Sequence, residues 1–233
     1  MTFYIGIDQS LTGTGMCILN EDGSIRDAAL IKPKKALGLG IRRLAYIISS
    51  IIDFTSRVDG RILSTREEYS FSSKGRAVFN LGELGGCIDL TLYNHNNAQW
   101  DSHAHFRLPA STHKMFCLQN GSASKGKTKK DKLAYLEEIA KKTGEHFGDD
   151  NIADSFMLAS TLRAFDRCLL DETFFNGLCP TKRTALVPPK TRKAMKVTPS
   201  KLLKMQHASF CELMEQCFEE TYMVFSKPEG NPE

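Results

Sequence analysis

The chain lacks the long apolar runs and the leader that mark membrane or secreted proteins. None of its apolar runs approaches the roughly 20 residues that span a bilayer. The amino terminus enters a strand pattern directly, without the basic flank and cleavage site of a signal peptide. We therefore expect no membrane association and a location in the cytoplasm.

Paired cysteines are also missing. The 233-residue chain has seven cysteines, an odd number, and they are scattered without a CxxC pair. This pattern supports neither a disulfide framework nor a zinc ribbon. We expect free thiols in a reducing compartment.

Acidic residues are absent from one long stretch. No Asp or Glu occurs between Glu172 and Glu212, whereas eight Lys and Arg residues fall there. A second basic cluster, KGKTKKDK at 125–132, holds five lysines. Either run alone is typical of a solvated surface, but two such runs near clustered carboxylates favour a polyanionic partner.

Hydrophobic patterning predicts an α/β domain. The first three runs alternate as strands, and Asp22-Gly23 is typical of a hairpin turn, so we predict an antiparallel meander. Apolar residues at three- and four-residue spacing predict an amphipathic helix next. The predicted strands lie at 2–8, 13–19, 24–31, 60–67 and 103–109, and the predicted helices lie at 37–54, 75–93, 128–143 and from after GDDN to about Phe165.

The chain changes character after the last of these helices. Residues 179–200 contain four prolines and no clear period, which is typical of an extended linker. The helical pattern that follows has basic residues early and acids late, opposing the helix dipole, so we expect tertiary contacts or a protein partner to hold that helix. The predicted units are an α/β domain at 1–168, a basic proline-containing linker at 169–200, a helix at 201–225 and a tail at 226–233.

Four acids occupy positions that chemistry can use. Asp8 ends the first strand, Glu67 ends the predicted fourth strand, and Asp150 and Asp154 begin a helix at i, i+4 spacing. Like charges one turn apart repel, and a divalent cation would offset that repulsion. The alternative for GDDNIADS is simple helix capping by Asp149 or Asp150.

Clustered carboxylates without a thiol- or histidine-rich set suit hard cations such as Mg²⁺ or Mn²⁺. Two such ions about 4 Å apart can activate a water and stabilise the leaving oxygen of a phosphoryl displacement. The acids therefore indicate phosphodiester hydrolysis.

Three motifs carry a family resemblance. IGIDQSLTGTG, EEYSFSSKGRAVFNLGELGG and DDNIADSFMLA together resemble the acidic motifs of RuvC-type Holliday-junction resolvases, especially the phage-encoded branch. The resemblance covers about residues 3–165. It implies an RNase H-like fold with a mixed five-stranded sheet, the first three strands antiparallel and the rest parallel, flanked by helices and followed by the C-terminal linker and helix.

The same resemblance implies the site and the activity. Asp8, Glu67, Asp150 and Asp154 match the family's metal-binding acids, with Glu68 and Asp149 as neighbouring alternatives. The implied protein is a homodimeric endonuclease, active in phage DNA recombination or processing in the host-cell cytoplasm, that uses two Mg²⁺ or Mn²⁺ ions to nick branched DNA. Such dimers pack through the helix after the glutamate strand, where the sequence has Gly82, Gly85 and Gly86.

Several residues near the acids are candidate DNA contacts. An aromatic side chain beside the cleft can stack on an unstacked base, although one of the two aromatic candidates can equally be ordinary core. Basic side chains would neutralise phosphates. The candidates are Tyr69, Phe71, Lys74, Arg76, Lys114, Lys125 and Lys127. We interpret His103, His105, His113 and His146 as structural or solvent-facing residues, because an isolated HxH is a weak metal signal.

Three alternatives stay open from sequence. GIDQSLTGTG also resembles the first phosphate loop of sugar kinases and actin-like ATPases, but we find no second Asp-Gly phosphate loop. A non-catalytic DNA-binding protein and an RNase H-like nuclease without junction selectivity are the other two.

Overall fold

A single six-stranded mixed sheet organises the part of the chain that the structure describes. The computed structural model describes residues 1–38, 40–68, 76–95, 100–123, 126, 128–194, 196 and 198–227. The strands are β1 (Thr2–Asp8), β2 (Thr14–Leu19), β3 (Ile25–Ile31), β4 (Gly60–Glu67), β5 (Trp100–Leu108) and β6 (Met223–Lys227). All five predicted strands are present, and β6 is an addition that the sequence did not predict.

The strands lie in the order β3-β2-β1-β4-β5-β6. The first three form an antiparallel meander, and β1, β4 and β5 are parallel neighbours, as predicted. β6 pairs antiparallel with β5 at the sheet edge. The parallel strands place the carboxyl ends of β1, β4 and β5 along one edge of the sheet.

Helices cover both faces of the sheet. One face carries α1 (Ile41–Thr55) and α2 (Arg76–Asn94), and the other carries α3 (Ala110–Leu118), α4 (Lys129–Thr143) and α5 (Asp150–Leu170). The side chains of β1 point alternately to the two faces of the sheet and so belong to two separate cores. Phe3, Ile5 and Ile7 pack towards α1 and α2, whereas Tyr4 packs towards α5. This is the three-layer arrangement that buried parallel strands require.

The helix α5 approaches the sheet unusually closely. A Cβ at Gly6 of β1 would collide with the carbonyl oxygen of Ser155, and a Cβ at Gly15 of β2 would collide with that of Asn151. Glycine at both positions therefore lets the helix backbone lie directly on the two strands. The first turns of α5 are fixed beside the end of β1 as a result.

A buried ionic cluster fixes the far end of α5. Asp166 accepts hydrogen bonds from the Tyr4 hydroxyl at 2.6 Å and from two Arg61 guanidinium nitrogens at 2.9 and 2.7 Å. Burial and the Asp166 carboxylate raise the pKa of Tyr4 above its usual value. The helix is thus anchored at both ends, to β1 and β4.

The C-terminal segment is helical where we expected an extended linker. It forms α6 (Glu172–Gly177), α7 (Pro180–Leu186), α8 (Pro189–Ala194), α9 (Pro199–Leu203) and α10 (His207–Tyr222). Pro180 and Pro199 open their helices, where a missing N–H costs nothing. The prolines therefore mark helix starts, and the short lengths of the helices hide any period.

These helices belong to the main core. Ala185, Leu186 and Val187 are buried in the same cluster as α3 and α5, and Phe210 and Met214 of α10 join them. Tertiary contacts, the first of the two explanations offered above, thus hold the terminal helix. No helix among the described residues is long and apolar enough to cross a bilayer.

The acid-free stretch is not uniformly a binding surface. Arg183 is buried, donates to the carbonyls of Leu178 and Asn176 and stacks on Phe175 at 4.2 Å. Lys182 lies 5.1 Å from the Phe116 ring centroid. Arg183 therefore holds α7 to α6, and Lys182 contacts α3.

We predict that Gly6→Ala lowers the free energy of unfolding by about 3 kcal/mol or more, because the new methyl group meets helix backbone that cannot rotate away. Urea denaturation followed by circular dichroism measures the change. Gly177→Ala is the matched control, since a Cβ there meets nothing within 4 Å, and its stability should equal or slightly exceed that of the wild type. Equal stability of both variants would contradict the close approach of α5.

Candidate metal centre

Two acids end neighbouring parallel strands. Asp8 is the last residue of β1 and Glu67 the last residue of β4, and the register that pairs Ile7 with Arg66 brings them side by side. The Gln9 side chain spans the same gap, donating to the Glu67 carbonyl at 3.4 Å. The carboxyl edge of the sheet therefore carries both carboxylates, as the sequence predicts.

The turn after Asp8 is closed by its own hydroxyl groups. Thr14 donates from its hydroxyl to the Ser10 carbonyl at 2.7 Å, and the Ser10 hydroxyl accepts from the backbone of Thr12 and Gly13. Arg43 of α1 supports the turn through the Leu11 carbonyl. The Ser/Thr/Gly composition thus builds a compact hairpin that holds Asp8 at its base.

Asp154 reaches the same edge from α5. It precedes Ser155, the residue that lies against Gly6, so the close approach of helix and strand determines where its carboxylate lies. The Tyr135 hydroxyl of α4 donates to Asp154 Oδ1 at 2.5 Å. Burial, then the Asp154 charge and this hydrogen bond, raise the pKa of Tyr135 above its usual value, and the charges of Asp8 and Glu67 act in the same direction. The charges of all three acids therefore act on one phenol.

Glu67, His113 and Asp154 form a group that could hold one cation. Each offers a ligand atom, and these atoms all lie within 4.8 Å of one another. His113 and Asp154 are buried and Glu67 is half-buried. Within the described part of the chain, Asp8 and Asp150 lie outside this 4.8 Å group. The structure thus joins two of the four predicted acids tightly and adds a histidine.

His113 is the site residue that sequence reasoning missed. We interpreted it as a structural or solvent-facing residue, and the structure places it between two candidate ligands. It lies on α3, which begins directly after β5 and was not predicted. The only signal was its neighbour Lys114, which the sequence indicates as a candidate phosphate contact.

Asp150 and Asp149 play different parts at the start of α5. Asp149 is the N-cap, accepting from the Asn151 N–H at 2.9 Å, and so provides the capping that we considered for this segment. Asp150 is buried and accepts from Lys132 Nζ at 3.0 and 3.1 Å. Lys132 and Tyr135 lie one turn apart on α4, so this helix supplies one partner to each acid of the i, i+4 pair.

A buried ionic network lies behind Glu67. Its neighbour Arg66 is fully buried and binds both oxygens of Asp89 on α2, at 2.5 and 2.7 Å. Arg107 and His105 bind the same carboxylate. Burial alone would raise the pKa of Asp89, but the hydrogen bonds from Arg66 and His105 and the charge of Arg66 outweigh it and hold that pKa well below its usual range. This network ties β4, β5 and α2 together.

The network continues through the two other buried histidines. Burial lowers the pKa of His105 below its usual value, so the ring is neutral at pH 7. With His105 Nε2 donating to ionised Asp89, its Nδ1 accepts from the Ser64 hydroxyl at 2.7 Å, and His103 Nε2 donates to Ser64 at 2.8 Å. His103 and His105 are structural, as expected, and His146 is exposed.

The proposed DNA contacts are only partly within the described residues. Tyr69, Phe71, Lys74, Lys125 and Lys127 lie outside them, and Arg76 is described only as the first residue of α2. Lys114 is described, and its ammonium lies 5.7 Å from the Tyr135 ring centroid. One predicted phosphate contact therefore lies over Tyr135, the residue that binds Asp154.

Comparison with known proteins relates the fold to one group of structures. No family model and no curated protein matches the chain. A Thermus thermophilus RuvC structure matches 74% of this chain and 94% of its own at 14% identity, with a TM-score of 0.49. T. thermophilus RuvC in complex with a Holliday junction substrate matches 73% of this chain and 97% of its own at 11% identity, with a TM-score of 0.53. Together with the strand order, the latter match shows that the chain has the RNase H-like fold that the resemblance implied.

We predict that Asp89→Asn lowers the free energy of unfolding by about 3 to 5 kcal/mol, because it leaves the buried Arg66 guanidinium without its counter-charge. Asp53→Asn is the control, since Asp53 is exposed and pairs with Arg57 at 3.5 Å, so a change below about 1 kcal/mol is expected. Chemical denaturation measures both. If Asp89→Asn lowers the free energy of unfolding no more than Asp53→Asn does, the central role of the network is contradicted.

Proposed function

We propose that the chain is a metal-dependent endonuclease of the RuvC type that cleaves Holliday junctions or other branched DNA. The observation that carries the proposal is the convergence of Glu67 and Asp154 beside Asp8 at the carboxyl edge of an RNase H-like sheet. A structure with the same fold is described as a complex with a Holliday junction substrate, which supports branched DNA as the substrate class. The phage origin and the recombination role stay predictions.

The donor set fits divalent cations. Carboxylate oxygens are the ligands that Mg²⁺ and Mn²⁺ prefer, and buried acids so close together need a counter-charge to stay ionised. We assign Asp8, Glu67, Asp150 and Asp154 as the residues that hold two ions. Such ions supply an activated water and neutralise the leaving oxygen of an in-line phosphoryl displacement.

Residues of α4 prepare this site. The Tyr135 hydroxyl holds one oxygen of Asp154 and so fixes the direction of its carboxylate. The Lys132 ammonium neutralises Asp150, which reduces its repulsion with Asp154 one turn away. Tyr135 does not need to exchange a proton, because its raised pKa keeps the phenol protonated at neutral pH. Both are positioning residues.

Lysines supply the contacts to DNA. Lys114 lies over the Tyr135 ring and Arg76 begins α2, whereas Lys74, Lys125 and Lys127 lie in the sequence between β4 and α2 or between α3 and α4. Phosphate contacts of this kind are independent of base sequence and weaken steeply with salt. Tyr69 and Phe71 are proposed to stack on bases opened at the branch point.

The exposed face of α2 supports a homodimer. Phe79, Leu90 and Tyr93 are 78%, 61% and 52% exposed, and their spacing, with Gly86 between them, places them on one stripe of the helix. A Cβ at Gly86 meets nothing within 4 Å, so this glycine faces open space in the single chain. An isologous dimer through this stripe would present two active sites to the two strands of a branched substrate.

The alternatives are less well supported. Kinases and actin-like ATPases need two copies of the core fold, and the described residues of this chain form one sheet. A non-catalytic DNA-binding protein would not require Glu67 and Asp154 to come together at the edge of the sheet. A nuclease without junction selectivity differs from a resolvase only in how its two active sites are spaced. The substrate assay below distinguishes the two.

We predict that the protein cuts a synthetic four-way junction with Mg²⁺ or Mn²⁺, and that Asp8→Asn lowers the rate at least about 10³-fold. The reason is that a metal ion supplies several kcal/mol of charge stabilisation and each 1.4 kcal/mol is tenfold in rate. Gel analysis of labelled junction strands measures the cut. Asp59→Asn, which changes an exposed acid, is the control and should cut like the wild type.

The substrate and metal arms of this assay separate the alternatives. Chelation of divalent ions should abolish cleavage. Equal rates on the junction and on linear duplex of the same sequence would remove the resolvase assignment and leave a nuclease. ATP hydrolysis without any DNA cleavage would favour the ATPase alternative, and binding without cleavage would favour the non-catalytic one.

We predict that Phe79→Glu combined with Leu90→Glu converts a dimer into a monomer, because two charges are placed in the apolar stripe of each α2. Sedimentation velocity should give twice the 26.1 kDa chain mass for the wild type and the single mass for the variant. Leu170→Glu changes an equally exposed leucine on α5 and should leave the dimer intact. A monomeric wild type would contradict the proposal.

A further inference from the structure

His113 has a fixed position at the carboxyl edge of the sheet. The last residue of β5, Leu108, pairs with Glu67 of β4, and α3 begins two residues later. His113 lies one turn into α3 and is fully buried, with the neighbouring Phe116, Cys117 and Leu118 in the core. The imidazole is therefore held by a packed helix and not by a loose surface segment.

The ligand atoms of the group are close enough for one ion. Metal–ligand bonds of about 2.1 Å place the ligand atoms of an octahedral ion roughly 3 to 4.2 Å apart. The atoms offered by Glu67, His113 and Asp154 lie within 4.8 Å of one another, so a small adjustment of rotamers closes the set. The three ligands come from β4, α3 and α5, which pack on one another through the same core.

The chemistry of the set differs from that of an all-carboxylate site. Mg²⁺ favours oxygen ligands, whereas an imidazole nitrogen suits transition metals, whose affinity for nitrogen rises along the first row. Resting on the proposed function, we propose that His113 is a direct metal ligand alongside Glu67 and Asp154. The nitrogen ligand biases this metal site towards Mn²⁺ over Mg²⁺.

The test measures nitrogen coordination directly. The full-length protein, with histidine labelled by ¹⁵N, is loaded with Mn²⁺ alone and examined by pulsed electron paramagnetic resonance. We expect histidine-nitrogen modulation of the Mn²⁺ signal in the wild type and its loss in His113→Leu, a change of similar volume without a donor atom. His146→Leu replaces an exposed histidine and should retain the modulation.

A competition measurement tests the metal preference. In His113→Asp the ligand set becomes all oxygen, so the Mg²⁺ concentration that displaces half of the bound Mn²⁺ should fall at least about tenfold, the lower end of what even indirect partners of metal ligands contribute. Circular dichroism confirms that each variant is folded. If both variants unfold, the wild-type spectrum tests the proposal: histidine-nitrogen modulation supports a histidine ligand, and its absence overturns the role of His113.

The outcomes separate this inference from the proposed function. Mn²⁺ binding that depends on Glu67 and Asp154 but shows no histidine nitrogen would overturn the role of His113 and leave the carboxylate nuclease intact. Persistent modulation in folded His113→Leu would do the same. Absence of Mn²⁺ binding together with absence of cleavage would overturn both.

Discussion

The contact between α5 and the first two strands is the constraint on which the candidate site depends. Glycines at 6 and 15 remove the side chains that would hold the helix off the sheet, and the helix backbone occupies that space. Asp154 is carried by the first turns of this helix and Asp8 by the strand beneath it. Because both backbones are packed, the distance between the acids is set by the fold and not by flexible side chains.

Separate hydrogen-bond partners explain how three acids lie together at the start of α5. Asp150 is bound by Lys132, Asp154 by the Tyr135 hydroxyl and Asp149 by the backbone of Asn151. Behind Glu67, the Arg66–Asp89 pair joins the site to α2, the helix with the exposed apolar stripe. The proposed dimer surface and the proposed metal centre are therefore linked by one buried ionic connection.

Local patterns predicted what depends on local physics. Strand ends, the Asp22-Gly23 turn and the i, i+4 acids are visible in short windows, and the structure confirms the meander, the parallel strands and the positions of Asp8 and Glu67 at strand ends. The close approach of α5 was not visible, because Gly6 inside an apolar run has no local signature of what lies above it. The same holds for His113, whose partners are far away along the chain.

The prolines led to the wrong prediction of an extended linker for a physical reason. Proline breaks a helix interior but is favoured at a helix start, and Pro180 and Pro199 occupy that place.

The sixth strand has a further consequence, for synthesis of the chain. Until residues 223–227 leave the ribosome, β5 has one row of unpaired backbone groups, the kind of edge to which other extended chains add. A nascent chain paused before that point would present β5 as the edge strand, whereas β6 covers β5 once it pairs and becomes the edge itself.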